Sequence, residues 1–319
     1  MRKKSAAKGV VVIGELNSDI VAAGLSEPPK MGAEILATDF QLTLGSASAI
    51  FACGVAKLGH EVTFISRVGT DDFGKFCLAA LREAGISTRH ISRDEDLKTG
   101  VTVSLSTRRD RALVTYLGTI AALGHEHIRM SWLKGQRHLH MTSYFLQTRL
   151  RPSFPQILRE ARELGLSTSF DPNSDPSHDW SDSIRDVLAH TDMLFLNETE
   201  ALQLTRAGTI KAALKMLSTQ VPCAVIKLGA RGAVAIKNDE ITSIHGFKVA
   251  PTDTTGAGDS FAAGFVSSYL RGQSIAECLR AANACGALST VRAGGTSGQP
   301  TLQALRRFLR AHRPSEDLS

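Results

Sequence analysis

The stretch DTTGAGDSFAAGF, residues 253–265, stands directly before an apolar helical pattern. Glycines at 256 and 258 allow the backbone to approach a ligand closely. The first amides of the following helix have no partner inside the helix, and the helix dipole adds positive potential there. The stretch therefore predicts an anion hole at Gly256, Ala257 and Gly258. Asp259 would lie beside it, where a carboxylate can take a proton from an attacking hydroxyl during phosphoryl transfer.

A glycine-rich loop in which Asp259 only caps the helix is the simpler alternative, and an isolated Gly-x-Gly would favour it. Here Asp253, Gly256, Ala257, Gly258 and Asp259 occur together. At a usage of roughly 7% for each residue, a chance match anywhere in the chain has a probability on the order of 10⁻³ or less. The string therefore favours a functional site.

Outward from this stretch, short apolar runs alternate with helical patterns. Strands are predicted at 10–13, 62–66, 138–142, 167–170, 193–196 and 224–227, and helices at 46–58, 72–84, 152–164, 256–270 and 275–289. Such alternation is typical of βαβ units. The predicted fold class is α/β, with a mostly parallel sheet covered by helices on both faces.

Two segments, 16–43 and 98–120, break this alternation. Both have strand patterns without helices, and the second places its two runs around Arg108, Arg109 and Arg111. Antiparallel strands of this kind predict a small β lid beside the main sheet. No Pro-rich linker or composition shift separates the two segments from the rest, so we expect a single domain over 1–319 with the lid inserted.

Composition excludes several classes of protein. The chain has 319 residues, of which 43% are hydrophobic and 21% charged, as in globular proteins. No apolar run approaches the ~20 residues of a membrane helix. The five cysteines are scattered and none forms a CxxC pair, so we predict reduced, mostly buried thiols and a cytoplasmic protein. The net charge of +6 reflects basic residues clustered at both ends, which favours a solvated surplus over a nucleic-acid surface.

The 253–265 stretch is similar to the C-terminal signature of the ribokinase-like (PfkB) family of sugar kinases. The order of further motifs agrees from Gly14 to about Gly295. The resemblance implies a ribokinase-like fold, ATP and Mg²⁺ as cofactors, and a sugar-like small molecule as substrate.

The resemblance also implies a sugar site. The segment 14–19 resembles the family motif G-x-x-N-x-D, so Asn17 and Asp19 are expected to hold sugar hydroxyls, although polar residues here could also cap a loop. Gly45 and Ser46 belong to a second sugar segment. Ile50, however, stands where many members carry a sugar-binding Asn, and an apolar side chain cannot bind a hydroxyl. This segment also lacks a lysine, which favours an unphosphorylated sugar, a sugar acid or a nucleoside, with the lid arginines able to restore positive charge.

Two further motifs of the family follow predicted strands. Asp171 and Asn173 match a D-x-N element near the phosphoryl path, with a Pro-containing turn as the alternative. Asn197 and Glu200 match N-x-x-E, which implies that Glu200 holds Mg²⁺ through waters. The alternative for this pair is a capping box at a helix start.

The nucleotide side rests on three more resemblances. Lys227, Gly229 and Gly232 match K-x-G-x-x-G near the nucleotide phosphates, although the glycines also suit a turn between two strands. Asn283 resembles a residue that borders the adenine pocket, unless it faces solvent. Asp253 resembles a ligand of a monovalent cation such as K⁺, together with carbonyls of residues 289–295.

Two other kinds of site are disfavoured. Gly69 to Lys75 has Walker P-loop spacing, but Phe76 stands where Ser or Thr should meet Mg²⁺, and two aspartates lie inside the loop. His138 and His140, like His125 and His127, form pairs without a third ligand at a defined spacing. We therefore expect these histidines to be surface or supporting residues.

The sequence as a whole predicts an ATP-dependent kinase acting on a hydroxyl of a sugar-like molecule. A nucleoside or sugar-acid kinase of the same family is the alternative, and a non-catalytic sugar or nucleotide sensor on this fold is another. No nucleic-acid or membrane partner is expected. Exposed lid strands would allow a homodimer through the lid.

Overall fold

The computed structural model describes residues 9–107, 111–177, 179–180 and 184–312. The strands are β1 (Gly9–Ile13), β2 (Asn17–Leu25), β3 (Asp39–Leu44), β4 (Glu61–Gly69), β5 (Ile91–Asp94), β6 (Gly100–Thr107), β7 (Arg111–Tyr116), β8 (His138–Thr142), β9 (Ser167–Asp171), β10 (Met193–Asn197), β11 (Cys223–Lys227), β12 (Ala233–Lys237) and β13 (Glu240–Ile244). The helices are α1 (Ala47–Lys57), α2 (Asp72–Glu83), α3 (Thr119–Ala122), α4 (Phe154–Glu163), α5 (Ile184–Leu188), α6 (Glu198–Thr205), α7 (Ile210–Leu217), α8 (Ala257–Tyr269), α9 (Ile275–Ser289) and α10 (Leu302–Ala311).

The main sheet of the described residues has nine strands in the order β13-β12-β11-β10-β9-β8-β1-β4-β5. The strands from β11 to β5 are parallel, and β12 and β13 add an antiparallel edge. Because parallel strands share one direction, their carboxyl ends meet at one edge of the sheet, where ligands bind in open α/β sheets.

Strand β1 shows why both faces of the sheet are covered. Val10 and Val12 pack into one core, with α1, α2, α8 and α9. Val11 and Ile13 point the other way into a second core, with α4 to α7. Successive strand side chains alternate in direction, so a fully apolar strand requires a layer on each face. The predicted α/β class, covered on both faces, is confirmed.

The second sheet of the described residues has four strands in the order β3-β2-β6-β7 and forms the predicted β lid. Its two hairpins, β2–β3 and β6–β7, are antiparallel, but β2 and β6 join them in parallel. Arg108 and Arg109 lie outside the described residues, as do the basic residues before position 9 and Arg313.

One of the two locations expected for the histidines, the surface, is wrong for one pair. His138 and His140 are buried in β8, where their rings hydrogen-bond to Ser167 and Ser169 of β9. His140 also stacks on Phe51 at 3.7 Å between ring centroids. Burial lowers the pKa of His138 to about 3, so the ring is neutral at physiological pH. These rings are core residues because serines on the neighbouring strand satisfy their nitrogens.

The cysteines are all buried and free, as expected. Within the described residues, no helix combines the length and the apolar character that a membrane crossing requires.

Candidate active site

The start of α8 is the centre of the site. Gly256 caps the helix with φ 69°, a left-handed conformation that favours glycine. No side chain among the described residues caps this end, so amides of the first turn remain available to a ligand. The Ala257 amide donates to the Thr254 carbonyl at 3.2 Å, whereas no such turn bond engages the amide of Gly258 within the described residues.

Ile50 packs against the backbone of this turn. It is 3% exposed, a Cβ at Gly256 would lie 2.9 Å from it, and a Cβ at Gly295 would lie 2.5 Å from it. The apolar side chain therefore fills the space between two close backbone segments.

A buried ion pair lies against the same helix end. The Lys227 Nζ at the end of β11 donates to the Asp171 Oδ2 at the end of β9 at 2.6 Å, and their side chains are 14% and 1% exposed. A Cβ at Gly258 would lie 3.3 Å from the Lys227 Nζ. Burial acts to lower the pKa of Lys227, but the charges of Asp171 and Glu200 outweigh it and raise that pKa. The ammonium is therefore fixed as a cation beside the start of α8.

Asp259 lies half-buried in the first turn of α8. Burial, and then the charge of Asp171, raise the pKa of Asp259 to about 8, against the opposing effect of Lys227. Glu15 and Glu200 raise it further. Asp259 thus faces charges from the ends of β1, β9, β10 and β11, and a carboxyl with a pKa near neutrality is suited to proton transfer.

Asn197 and Glu200 form the capping box that the sequence left open as an alternative. The Asn197 Oδ1 accepts from the Glu200 amide at 2.8 Å, and the Glu200 Oε2 accepts from the Asn197 amide at 2.7 Å. Glu200 is 4% exposed, and burial raises its pKa. Asp171, Glu200 and Asp259 thus place three acids near the ammonium of Lys227. Among the described residues, no cluster of three or more side chains forms a complete metal cage.

A cavity of about 630 Å³ opens beside these charges. It is lined by residues of the β11–β12 turn, the segment 246–251, α8 and α9, including Lys227, Gly229, Gly232 and Asn283. The turn between β11 and β12 contains Gly229 and Gly232, both with positive φ, so the turn and the pocket use the same glycines. Asn283 is buried and donates to the carbonyls of Ile244 and His245 at 3.0 and 3.1 Å, which holds the segment after β13 over the cavity.

The opposite side of the site is lined by polar groups, of which Asp19 is the acid. The Asn17 Nδ2 donates to the Asp19 Oδ1 at 2.9 Å, and a Cβ at Gly45 would clash with both side chains. Ser46 accepts from the Ala49 amide at 3.0 Å and so begins α1. Thr43 lies against Gly294, which shows that the polar face of the lid is turned toward the loops around α8.

Comparison with known proteins decides the family. The pfkB family carbohydrate kinase profile matches residues 7–302. The chain belongs to this family of carbohydrate kinases. It is 30% identical to a 2-dehydro-3-deoxygluconokinase of Bacillus subtilis over 86% of this chain and 89% of that protein. It is 29% identical to a ribokinase of Haemophilus influenzae, over 95% and 98% of the two chains.

A solved structure agrees with this assignment. A putative ribokinase II from E. coli, in complex with ATP and Mg²⁺, superimposes with a TM-score of 0.85 at 27% identity, over 96% of this chain and 100% of that one. The chain is therefore a sugar kinase with the ribokinase-like fold. The family assignment made from the 253–265 signature is confirmed.

One buried acid of this kinase was missed at the sequence level. Glu15 follows β1 and is 3% exposed, and its carboxylate accepts hydrogen bonds from Ser48 and Ser143. Ser143 is 128 residues away in the sequence, so no local spacing could reveal the contact. A weak signal existed, since an acid directly after an apolar parallel strand lies at the ligand-binding edge.

Asp253 of the kinase links two loops. Its Oδ1 accepts from the Thr255 amide at 2.9 Å, and its Oδ2 accepts from the Gly294 amide at 2.9 Å. The Thr290 carbonyl accepts from the amides of Thr252 and Asp253 at 2.7 and 3.1 Å. The turn before α8 and the segment after α9 are therefore tied together.

Proposed function

We propose that this kinase transfers the γ-phosphoryl group of ATP to a hydroxyl of a sugar or sugar-like molecule, with Asp259 as the general base. The observation that carries the proposal is the uncapped start of α8, against which Lys227 and Asp259 lie together. In the proposal a cationic group and backbone amides at the helix start bind the phosphoryl group, and the neighbouring carboxylate accepts the proton of the acceptor hydroxyl.

The proposed step has a simple proton and bond balance. The Asp259 carboxylate takes the proton of the acceptor hydroxyl, and that oxygen forms the new bond to the γ-phosphorus. The bond from the γ-phosphorus to the oxygen bridging it to the β-phosphate breaks, and ADP leaves. The amides of Gly256, Ala257 and Gly258 stabilise the charge on the phosphoryl oxygens, with Lys227 adjacent.

The cofactor assignments follow from the same groups. The 630 Å³ cavity is proposed to hold the nucleotide, with Gly229 and Gly232 close to the phosphates and Asn283 near the base. Mg²⁺ would bind by way of waters at Glu200, with Asn197 fixing that carboxylate, and would neutralise the phosphates when bound. A monovalent cation such as K⁺ is proposed at Asp253, because the two loops that meet there support the anion hole.

The acceptor site is proposed to use Asn17, Asp19, Gly45 and Ser46, with Asp171 and Asn173 between acceptor and nucleotide. Hydroxyl and amide groups of this kind recognise polyols. The lid would close over the acceptor and keep out water, which would otherwise compete for the phosphoryl group. We propose that this machinery acts as one domain, in the cytoplasm, where free buried cysteines are usual.

The outward face of the lid supports a homodimer. The strand register places Ile20, Leu42 and Val103 next to one another on one face of the lid sheet. Asp19 and Thr43, one position along their strands, lie on the other face. Among this outward set, Phe40, Leu42, Val114 and Tyr116 are 66%, 40%, 61% and 52% exposed. Exposed apolar sheet faces of this kind mark association sites. Light scattering should show a dimer that Val114→Asp dissociates, and a monomeric wild type would contradict the dimer.

The experiment that tests the proposed function is an ADP-release assay with MgATP across three panels: neutral sugars, sugar acids and nucleosides. We expect turnover with at least one neutral sugar, and the panel that gives the highest kcat/KM identifies the substrate class. A protein that binds these compounds without releasing ADP would be the non-catalytic sensor, and the proposal would be wrong.

A further inference from the structure

Three residues of the cleft have backbones in the left-handed region although none is glycine. Ser46, Ser143 and Asn173 have φ of 70°, 54° and 56°. They follow β3, β8 and β9, and thus lie on separate chain segments at the same edge of the molecule. Such conformations persist only where surrounding contacts enforce them. Ser46 and Ser143 both donate to one carboxylate, and Asn173 is tied to it through Ser143.

That carboxylate belongs to Glu15. The Ser48 hydroxyl donates to its Oε2 at 2.6 Å, and the Ser48 amide donates to its Oε1 at 3.2 Å. The Ser143 hydroxyl donates to its Oε1 at 2.9 Å, and the Ser46 hydroxyl donates to the Glu15 carbonyl at 2.6 Å. Glu15 therefore joins the first turn of α1 to the segment that follows β8. The residues just before α1, Gly45 and Ser46, belong to the proposed acceptor site and are called the acceptor loop below.

The same contacts continue toward the nucleotide side. The Ser143 amide donates to the Asn173 Oδ1 at 3.0 Å, and the Asn173 amide donates to the Asp171 Oδ1 at 3.2 Å. Asp171 holds Lys227, which lies beside Gly258. A series of hydrogen bonds thus runs from the first turn of α1 through Glu15, Ser143, Asn173 and Asp171 to Lys227, next to the start of α8.

We propose that Glu15 is a positioning residue that fixes the acceptor loop relative to the phosphoryl group. The inference rests on the proposed kinase function and goes beyond it, because Glu15 is buried and acts through Ser46, Ser48 and Ser143. A misplacement of about 1 Å between reacting groups reduces rates on the order of 10²-fold, so loosening this junction affects the acceptor more than ATP.

The test compares Glu15→Gln with a matched control. The control, Asp192→Asn, also removes a partly buried carboxylate charge. The Asp192 Oδ2 accepts from the amide and the hydroxyl of Thr168, at 2.8 and 3.1 Å. These contacts lie at the opposite edge of the sheet from Glu15. For E15Q we expect kcat/KM for the acceptor to fall about 10- to 100-fold, with an unchanged KM for ATP. D192N should lose thermal stability and keep its kinetic constants.

A pH profile separates positioning from simple loss of stability. The groups that face Asp259 are Asp171, Lys227, Glu15 and Glu200. The charge of Glu15 raises the pKa of Asp259, so E15Q should move the acid limb of the kcat/KM profile to lower pH. Ser143→Ala keeps that charge, so it should weaken acceptor binding without moving the limb. S143A also serves as the second variant if E15Q does not fold.

Hydrogen exchange gives a readout that does not depend on turnover. In E15Q the amides of 46–49 and 142–145 should exchange faster, with those of α8 unchanged. If E15Q retains wild-type acceptor kinetics, pH profile and exchange, the positioning role is wrong even though the kinase assignment stands. If the wild type turns over no acceptor, the proposed function is wrong, and the exchange comparison alone decides the role of Glu15.

Discussion

The two halves of the cleft are built in different ways. The phosphate half consists of the α8 amides, Lys227, Asp171, Glu200 and Asp259. The acceptor half consists of Asn17, Asp19, Gly45, Ser46 and the polar face of the lid.

The first half places acids and a lysine in a buried frame of parallel strands and two helices, while the second presents mostly neutral groups on a partly exposed sheet. Cationic groups and amides stabilise phosphoryl charge more strongly where water is excluded. Recognition of a sugar hydroxyl instead depends on hydrogen-bond donors and acceptors at matching positions. Damage to the first half should therefore reduce kcat with every acceptor, and damage to the second should change which acceptors bind.

The largest expected effect comes from Asp259→Asn. An amide of similar shape cannot accept the hydroxyl proton, so kcat should fall about 10²- to 10⁴-fold with ATP binding retained. Steady-state ADP release and nucleotide titration measure the two quantities. Glu277→Gln, which changes an acid in the first turn of α9, is the matched control and should keep wild-type kcat. Wild-type turnover by D259N would show that Asp259 is not the base.

Lys227→Met should come second. It leaves Asp171 buried without its partner, and breaking a buried ion pair costs about 3–5 kcal/mol of folding stability. We expect kcat to fall about 10²-fold as well. In the double variant with Asp171→Asn, denaturant unfolding should show recovered stability, while ADP release should remain low. Recovery of both would indicate that Lys227 is purely structural.

Asp19→Asn should spare the phosphate half. Weakening a charged hydrogen bond to a hydroxyl should raise the KM for the acceptor roughly 10- to 100-fold, with the KM for ATP unchanged. Asp39→Asn, at the exposed outer end of the same lid sheet, provides the control. An equal rise in both KM values for D19N would contradict the division of the cleft into two halves.

The smallest effect concerns pH. Because Asp259 must be ionised and its pKa is raised to about 8, kcat/KM should increase with pH up to about 8. Asp171→Asn removes the repulsive neighbour, which lowers the pKa of Asp259, so the rising limb should move about one unit to lower pH. A limb that stays in place would show that another group limits the rate.

Stability has a matching pH dependence. The folded pKa of Asp259 lies above its value of about 4 in an unfolded chain, so the folded state binds the proton more tightly. Folding stability from this group is therefore lost as pH rises from about 4 to 8. D259N should remove that loss and unfold at a higher temperature than the wild type at pH 8.

Local patterns in the sequence predicted the parallel core and the lid. They also singled out polar residues that end or directly follow one strand, such as Asp171, Asn197 and Lys227. The edges were less visible: β5, β12, β13 and α10 were not assigned, because short edge strands and a terminal helix carry weak periodicity. Asn197 illustrates a second limit, since N-x-x-E spacing suits both a capping box and a metal-orienting pair, and the structure shows the capping box.

Glu15 shows why the rest of the site could not be predicted. Its contacts with Ser46, Ser48 and Ser143 join segments that are 31 to 128 residues apart. Ile50 similarly packs against the backbone of Gly256 and Gly295, which are distant from it in the chain. These contacts form only when distant segments pack together in the folded chain. A pattern within one segment therefore cannot predict them.

The apolar outer side of the lid also has a practical consequence at the bench. Side chains such as Phe40 and Val114 would lose their companion surface if the proposed dimer dissociated on dilution, and would then adsorb to plastic and to chromatography resins. In dilute stocks the enzyme would therefore lose specific activity through adsorption, with no change in its chemistry. A carrier protein such as serum albumin, or a mild detergent, should restore linear dependence of rate on enzyme concentration.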